Sequence, residues 1–193
     1  MAAVTSETAL CNLALTRLGH QQISSLDEAS KAGRLCKLHY GPTRDAVLRA
    51  HPWNFAVKRV TLSLDVATPN HEYAYQHSLP SDFLRIIRTD YEAAGYGTAD
   101  YRIEGLKLVA DDSVVKIEYI ARIEDVSQFD ALFVDVLAQR LAAEVCVALT
   151  DNANMAKNTW EIYDLKLREA RGVDAQEGRP RDIEAWEWLD SRA

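Results

Sequence analysis

Residues 44–59 read RDAVLRAHPWNFAVKR. A helical stripe runs into this stretch and Pro52 ends it, because His51 ahead of a proline is pushed away from α geometry. Two large aromatics follow, Trp53 and Phe55, flanked by Arg44, Arg49, Lys58 and Arg59. Two readings compete. In one, aromatics among cations form a face for single-stranded nucleic acid. In the other, Pro52, Trp53 and Phe55 plug the corner where a helix hands over to a sheet. Alternation continuing through Val57 needs a buried face, and this favours the corner.

Upstream the period is helical. Thr5 or Ser6 can cap a first helix carrying Leu10, Leu13, Ala14 and Leu18, with Gly19 as its stop. A second helix bears Ala32, Leu35, Cys36, His39 and Tyr40, and Gly41-Pro42 predicts a kink or short break before it resumes to Ala50. Downstream the period becomes two. Val60, Leu62, Leu64 and Val66 alternate with polar residues, LRIIRT at 84–89 is strongly β-prone, and Glu104-Gly105 marks a hairpin between 101–103 and 106–109. VVKIEYIARI at 114–123 reads as a long strand. No long helix separates these runs, so the pairing is expected to be antiparallel. Helical period returns at Phe129, and Thr150, Asp151 or Asn152 starts a last helix, with Gly172 as a possible stop and Gly178-Arg179-Pro180 as a firm one.

The expected fold is therefore α+β: a bundle of about four helices with an antiparallel β domain inserted between the second and third. The bundle takes residues 1–53 and 126–178, the β domain 54–125, and a C-terminal docking tail 179–193. That tail contains Trp186, Trp188 and Leu189, which are costly in water unless they land on a partner.

Composition narrows the function classes. The 193 residues carry a net charge of −7, which argues against tight general binding to nucleic acid. The charge is uneven: residues 27–59 hold seven basic and three acidic groups, and residues 60–128 hold six basic and twelve acidic. Such complementary segments suit self-association or a charged partner. Cys11, Cys36 and Cys146 are far apart in sequence and read as buried thiols. The N-terminus lacks the basic region of a signal peptide, and no apolar run reaches the ~18 residues of a membrane span. A soluble protein made in a cytoplasm is expected.

Catalytic constellations are weak. His71, Glu72 and His77 lack the one-turn spacing of a zinc helix, and on a strand 71 and 77 lie about 20 Å apart at ~3.3 Å per residue. Cys36 with His39 reads as a packed pair rather than a nucleophile and base. Asp82, Asp111, Asp112, Glu124 and Asp125 single out no acid–base pair. No catalytic, metal or cofactor site is expected.

The motif order nonetheless resembles a known family. ALCNLALTRLG is followed by SLDEASKAGRLCKLHYGPTRDAVLRAHPWNFAVKR, then LPSDFLRIIR, then YIARIEDVSQFDALFVDVLAQRLAAEV and a last helix ending in DAQEG. This order, over roughly residues 5–180, is similar to the tail tubular protein A family, head-to-tail adaptors of short-tailed bacteriophages. The resemblance implies a structural virion protein, a helical domain plus a β domain, and a twelve-subunit ring between the portal protein and the tail nozzle protein. Double-stranded DNA would pass through the lumen without specific binding. On that reading Trp186, Trp188 and Leu189 anchor on the portal, and Arg44, Arg49, Lys58 and Arg59 face a neighbour. A tail-associated enzyme degrading cell-wall polymer and a nucleic-acid-binding protein are the alternatives.

Overall fold

A computed structural model describes residues 4–90 and 100–177. It is a mixed α+β structure. Two helices come first, α1 (Glu7–Arg17) and α2 (Lys31–Ala50). A 3-10 turn over Asn54–Ala56 then leads into seven strands: β1 (Val57–Thr61), β2 (Ser63–Leu64), β3 (Tyr75–Ser78), β4 (Phe83–Thr89), β5 (Tyr101–Glu104), β6 (Lys107–Ala110) and β7 (Lys116–Ala121). A second 3-10 turn, Val126–Gln128, precedes α3 (Ala131–Thr150) and α4 (Ala153–Gln176).

Each helix starts where a side chain satisfies the free N–H groups of its first turn. Ser6 accepts from Ala9 N–H, Ser30 from Gly33 N–H, Asp130 from Leu132 N–H at 2.8 Å, and Asn152 from Met155 N–H. The Asp130 cap sets the start of α3 at Ala131, so Phe129 stands just outside the helix. The glycine at position 33 is required by space, since a Cβ there would lie 2.6 Å from the Glu28 carbonyl oxygen.

Helix α2 runs through Pro42 without the short break, one of the two expectations there. Pro42 removes only the donor to the Leu38 carbonyl four residues back. Leu38 is 68% exposed, so water can take the place of that donor. Gly172 likewise does not end α4, which continues to Gln176.

The strands form two antiparallel sheets, one ordered β1-β7-β4 and the other β2-β3-β6-β5. Leu62 is the link between them: buried, it donates its N–H to the Val115 carbonyl at 2.8 Å. The predicted stripe Val60–Leu62–Leu64–Val66 breaks at this point. Leu64 sits half-exposed on the sheet edge and Val66 is wholly exposed, because the chain changes sheets and β2 ends at Leu64. Shifts of register between Phe83 and Arg85, and between Ile86 and Arg88, mark bulges where β4 pairs β7. The β5–β6 hairpin turns at Gly105, whose φ of 61° suits glycine.

One cluster of buried side chains runs from Leu10 and Leu15 of α1, through Trp53, Phe133 and Leu137, to Ile120, Ile117 and Leu108 of both sheets. The helices are also pinned by charge. Asp135 of α3 accepts from Arg17 of α1 and from Lys166 of α4. Arg17 further donates to the Asp135 carbonyl at 2.8 Å and to Gln139 at 3.1 Å. Removing this acceptor leaves two cations without their partner. Asp135→Ala is expected to lower stability by about 1–2 kcal/mol in urea unfolding, since a hydrogen bond to a charged group is worth about that much where it is partly screened. An unchanged midpoint would show the network to be inert.

Candidate interaction site at the helix–sheet junction

The junction is built from the stretch that ends α2. His51 caps the helix in extended geometry, Pro52 follows, and Trp53 leads into the 3-10 turn. The Trp53 ring is 0% exposed, and its indole N–H donates to the Val47 carbonyl, six residues back, at 2.9 Å. A large apolar ring is thus buried with its polar atom satisfied. Its centroid lies 5.2 Å from Phe133 and 5.0 Å from His51, both edge-on. Phe55 packs on Phe133 at 4.9 Å, and Phe129 on Phe133 at 4.8 Å. The aromatic knot therefore joins the end of α2 to the start of α3 beside the root of β1.

The far end of the chain closes over it. Asp174 of α4 bonds His51 Nε2 at 2.9 Å and accepts the Asn54 backbone N–H at 3.1 Å. Its own carbonyl accepts from the Asn54 side-chain amide at 2.7 Å. Arg171 donates to the Ala50 carbonyl at 2.6 Å, one of the unsatisfied acceptors at the C-terminus of α2. Nothing in the local sequence signalled this clamp, because its halves lie 120 residues apart.

The flanking cations do not form a common outward face. Arg44 is buried, bound to Asp45 and 3.6 Å from Glu124, and Arg49 donates to the Leu84 carbonyl. Lys58 and Arg59 remain at the surface, on strand β1, bonded to Asp82 at 2.7 Å and paired with Glu118 at 3.5 Å. The reason is pairing across the chain: the acids at 82, 118 and 124 come from the acidic segment, and they meet cations of the basic segment within one molecule. Arg88 also bonds Glu118, at 2.6 Å. Trp186, Trp188 and Leu189, with the whole tail 179–193, lie outside the described residues.

Burial pushes the Asp82 and Glu118 carboxyls up, but the cations win. Bonds from Lys58 and Tyr119 hold Asp82 below its usual range, and Arg88 and Arg59 do the same for Glu118. The Tyr119 hydroxyl, on a buried side chain and donating to Asp82 at 3.0 Å, is pushed up to about 12 by burial first and by Asp82 second.

Several of the candidate catalytic side chains hold local structure. His77 is fully buried on β3 and bonds the Asp112 carbonyl through Nε2 at 2.9 Å, while Glu72 pairs with Arg102. Asp111 accepts from Ala74 N–H, and Asp125 caps the second 3-10 turn. Cys11, Cys36 and Cys146 are buried free thiols. Among the described residues no group of three or more His, Cys, Asp or Glu is placed to hold a metal, and no helix is long and apolar enough to cross a membrane. No protein-family model matches the sequence, and no curated protein does so.

Trp53→Ala is expected to cost roughly 3–5 kcal/mol in equilibrium unfolding, as for a large buried ring. A cost under about 1 kcal/mol would mean that the corner is not closed. Acid provides an independent check. A carboxyl with a lowered folded pKa stabilises the fold above its unfolded pKa of about 4, and that stability is lost as pH falls through the folded value. Asp82→Asn should therefore flatten the decline of the urea midpoint on acidification below about pH 4. Parallel profiles for the two proteins would contradict the pairing.

Proposed function

We propose that this chain is a head-to-tail adaptor of a short-tailed bacteriophage, a structural virion component forming a ring between the portal protein and the tail nozzle protein. The observation that carries the reading is the order of its motifs. ALCNLALTRLG, AVLRAHPWNFA, LPSDFLRIIR and FDALFVDVLAQRLAAE follow one another over most of the chain as they do in the tail tubular protein A family.

The same motifs build the parts that such an adaptor needs. The first and last supply α1 and α3, AVLRAHPWNFA supplies the end of α2 and the aromatic corner, and LPSDFLRIIR supplies β4. In this reading the four helices are one domain and the antiparallel strands are a second, inserted between α2 and α3. Twelve copies surround a lumen along which double-stranded DNA passes. A net acidic chain suits that passage, because it does not grip phosphate. The tail 179–193, with Trp186, Trp188 and Leu189, is assigned to anchoring on the portal, as buried aromatics dominate interface energies.

The test is to mix the purified chain with the portal ring encoded by the same genome, and to follow sedimentation by electron microscopy. A second ring stacked beneath the portal is expected. A monomer that ignores the portal at tens of micromolar would overturn the proposal.

A further inference from the structure

Among the described residues, none covers one face of helix α2. Lys31, Arg34, Leu38, Pro42 and Ala46 recur at intervals of three and four residues, and all are exposed. Leu38 stands at its centre with 68% of its surface in water. The face is cationic at its N-terminal end and apolar in the middle. The carboxylates beside it are occupied: Asp27 by Lys37, and Asp45 by Arg44 and Arg122. Pro42 adds an unusual acceptor, the Leu38 carbonyl that has lost its intrahelical donor.

The chain itself contains a segment of matching chemistry. Residues 182–190, DIEAWEWLD, carry Asp182, Glu184, Glu187 and Asp190 with no basic residue, interleaved with Ile183, Trp186, Trp188 and Leu189. The end of α4 is fixed by the junction clamp. Asp174 is bonded to His51 and Asn54, so α4 ends beside the C-terminal end of α2. The lengths agree. From Lys31 to Arg49 the helix spans about 27 Å at ~1.5 Å per residue. Nine extended residues span about 30 Å at ~3.3 Å each, after a four-residue connector, 178–181.

We infer that in the free chain residues 182–190 dock intramolecularly on the outward face of α2, acids toward Lys31 and Arg34 and apolar side chains over Leu38, Pro42 and Ala46. A tryptophan indole is a fitting donor for the Leu38 carbonyl. The inference concerns the free chain and needs no portal, so its failure and that of the adaptor reading are separable.

The experiment is acrylamide quenching of tryptophan fluorescence in the full-length chain. The contribution of the segment is isolated by subtracting the spectrum of the Trp186→Phe/Trp188→Phe variant. Docked indoles are expected to emit to the blue of free tryptophan and to resist quenching, independently of protein concentration. Leu38→Asp should weaken docking about tenfold, since a buried leucine is worth roughly one factor of ten or more. Lys31→Glu with Arg34→Glu should weaken it likewise, and added salt should weaken it further. Leu38 is already exposed, so Leu38→Asp should leave the far-ultraviolet spectrum unchanged, which separates lost docking from lost folding. Free-tryptophan quenching in the unaltered chain would overturn the inference. So would protection that survives Leu38→Asp, and so would protection that fades on dilution, which would place the segment on a second copy.

Discussion

The fold depends on burying one indole at the place where the chain stops being helical. Trp53 cannot be solvated where it stands, and its N–H is taken by the Val47 carbonyl within the preceding helix. That bond fixes the ring against α2, and Phe133 and Phe55 then fix α3 and the root of β1 against the ring. Helices and sheets meet through this knot and share one buried cluster. Asp174 and Arg171 return the end of the last helix to the same spot.

The charge pattern shows how a count along the chain differs from its arrangement in space. A basic segment followed by an acidic one suggests surfaces made for partners. In the folded chain Lys58 meets Asp82, Arg59 meets Glu118 and Arg44 approaches Glu124, so much of the complementarity is internal. On the basic side, the outward face of α2 is left open among the described residues. Surface pairs of this kind contribute little stability each, but they set the strand β1 in place against β4 and β7.

Much of the architecture was legible in the sequence because it rests on local rules. Ser6 caps a helix where a cap is expected, Asn152, one of three candidates, caps α4, Pro52 ends α2, and Glu104-Gly105 turns a hairpin. The misread places depend on distant context. Pro42 stands on an exposed stretch of α2, where water can replace the donor it removes, and the Val60–Val66 alternation fails because Leu62 carries the chain from one sheet to the other. Arg44 counted as a surface cation until the acids across the fold were known, and Arg49, though exposed, is tied to the Leu84 carbonyl. The Asp174 clamp left no local signature, since neither a histidine before a proline nor an aspartate late in a helix announces its partner.

The central claim is that the Trp53 corner couples helices and sheets into one cooperative unit. Native-state hydrogen exchange tests it most directly, by comparing the amides of Leu137 in α3 and Ile120 in β7. The account predicts that both report the same opening free energy, and that Trp53→Leu lowers the two equally. A substitution that loosens Leu137 while Ile120 keeps its protection would contradict it, and would make the aromatic knot a local feature of the helices.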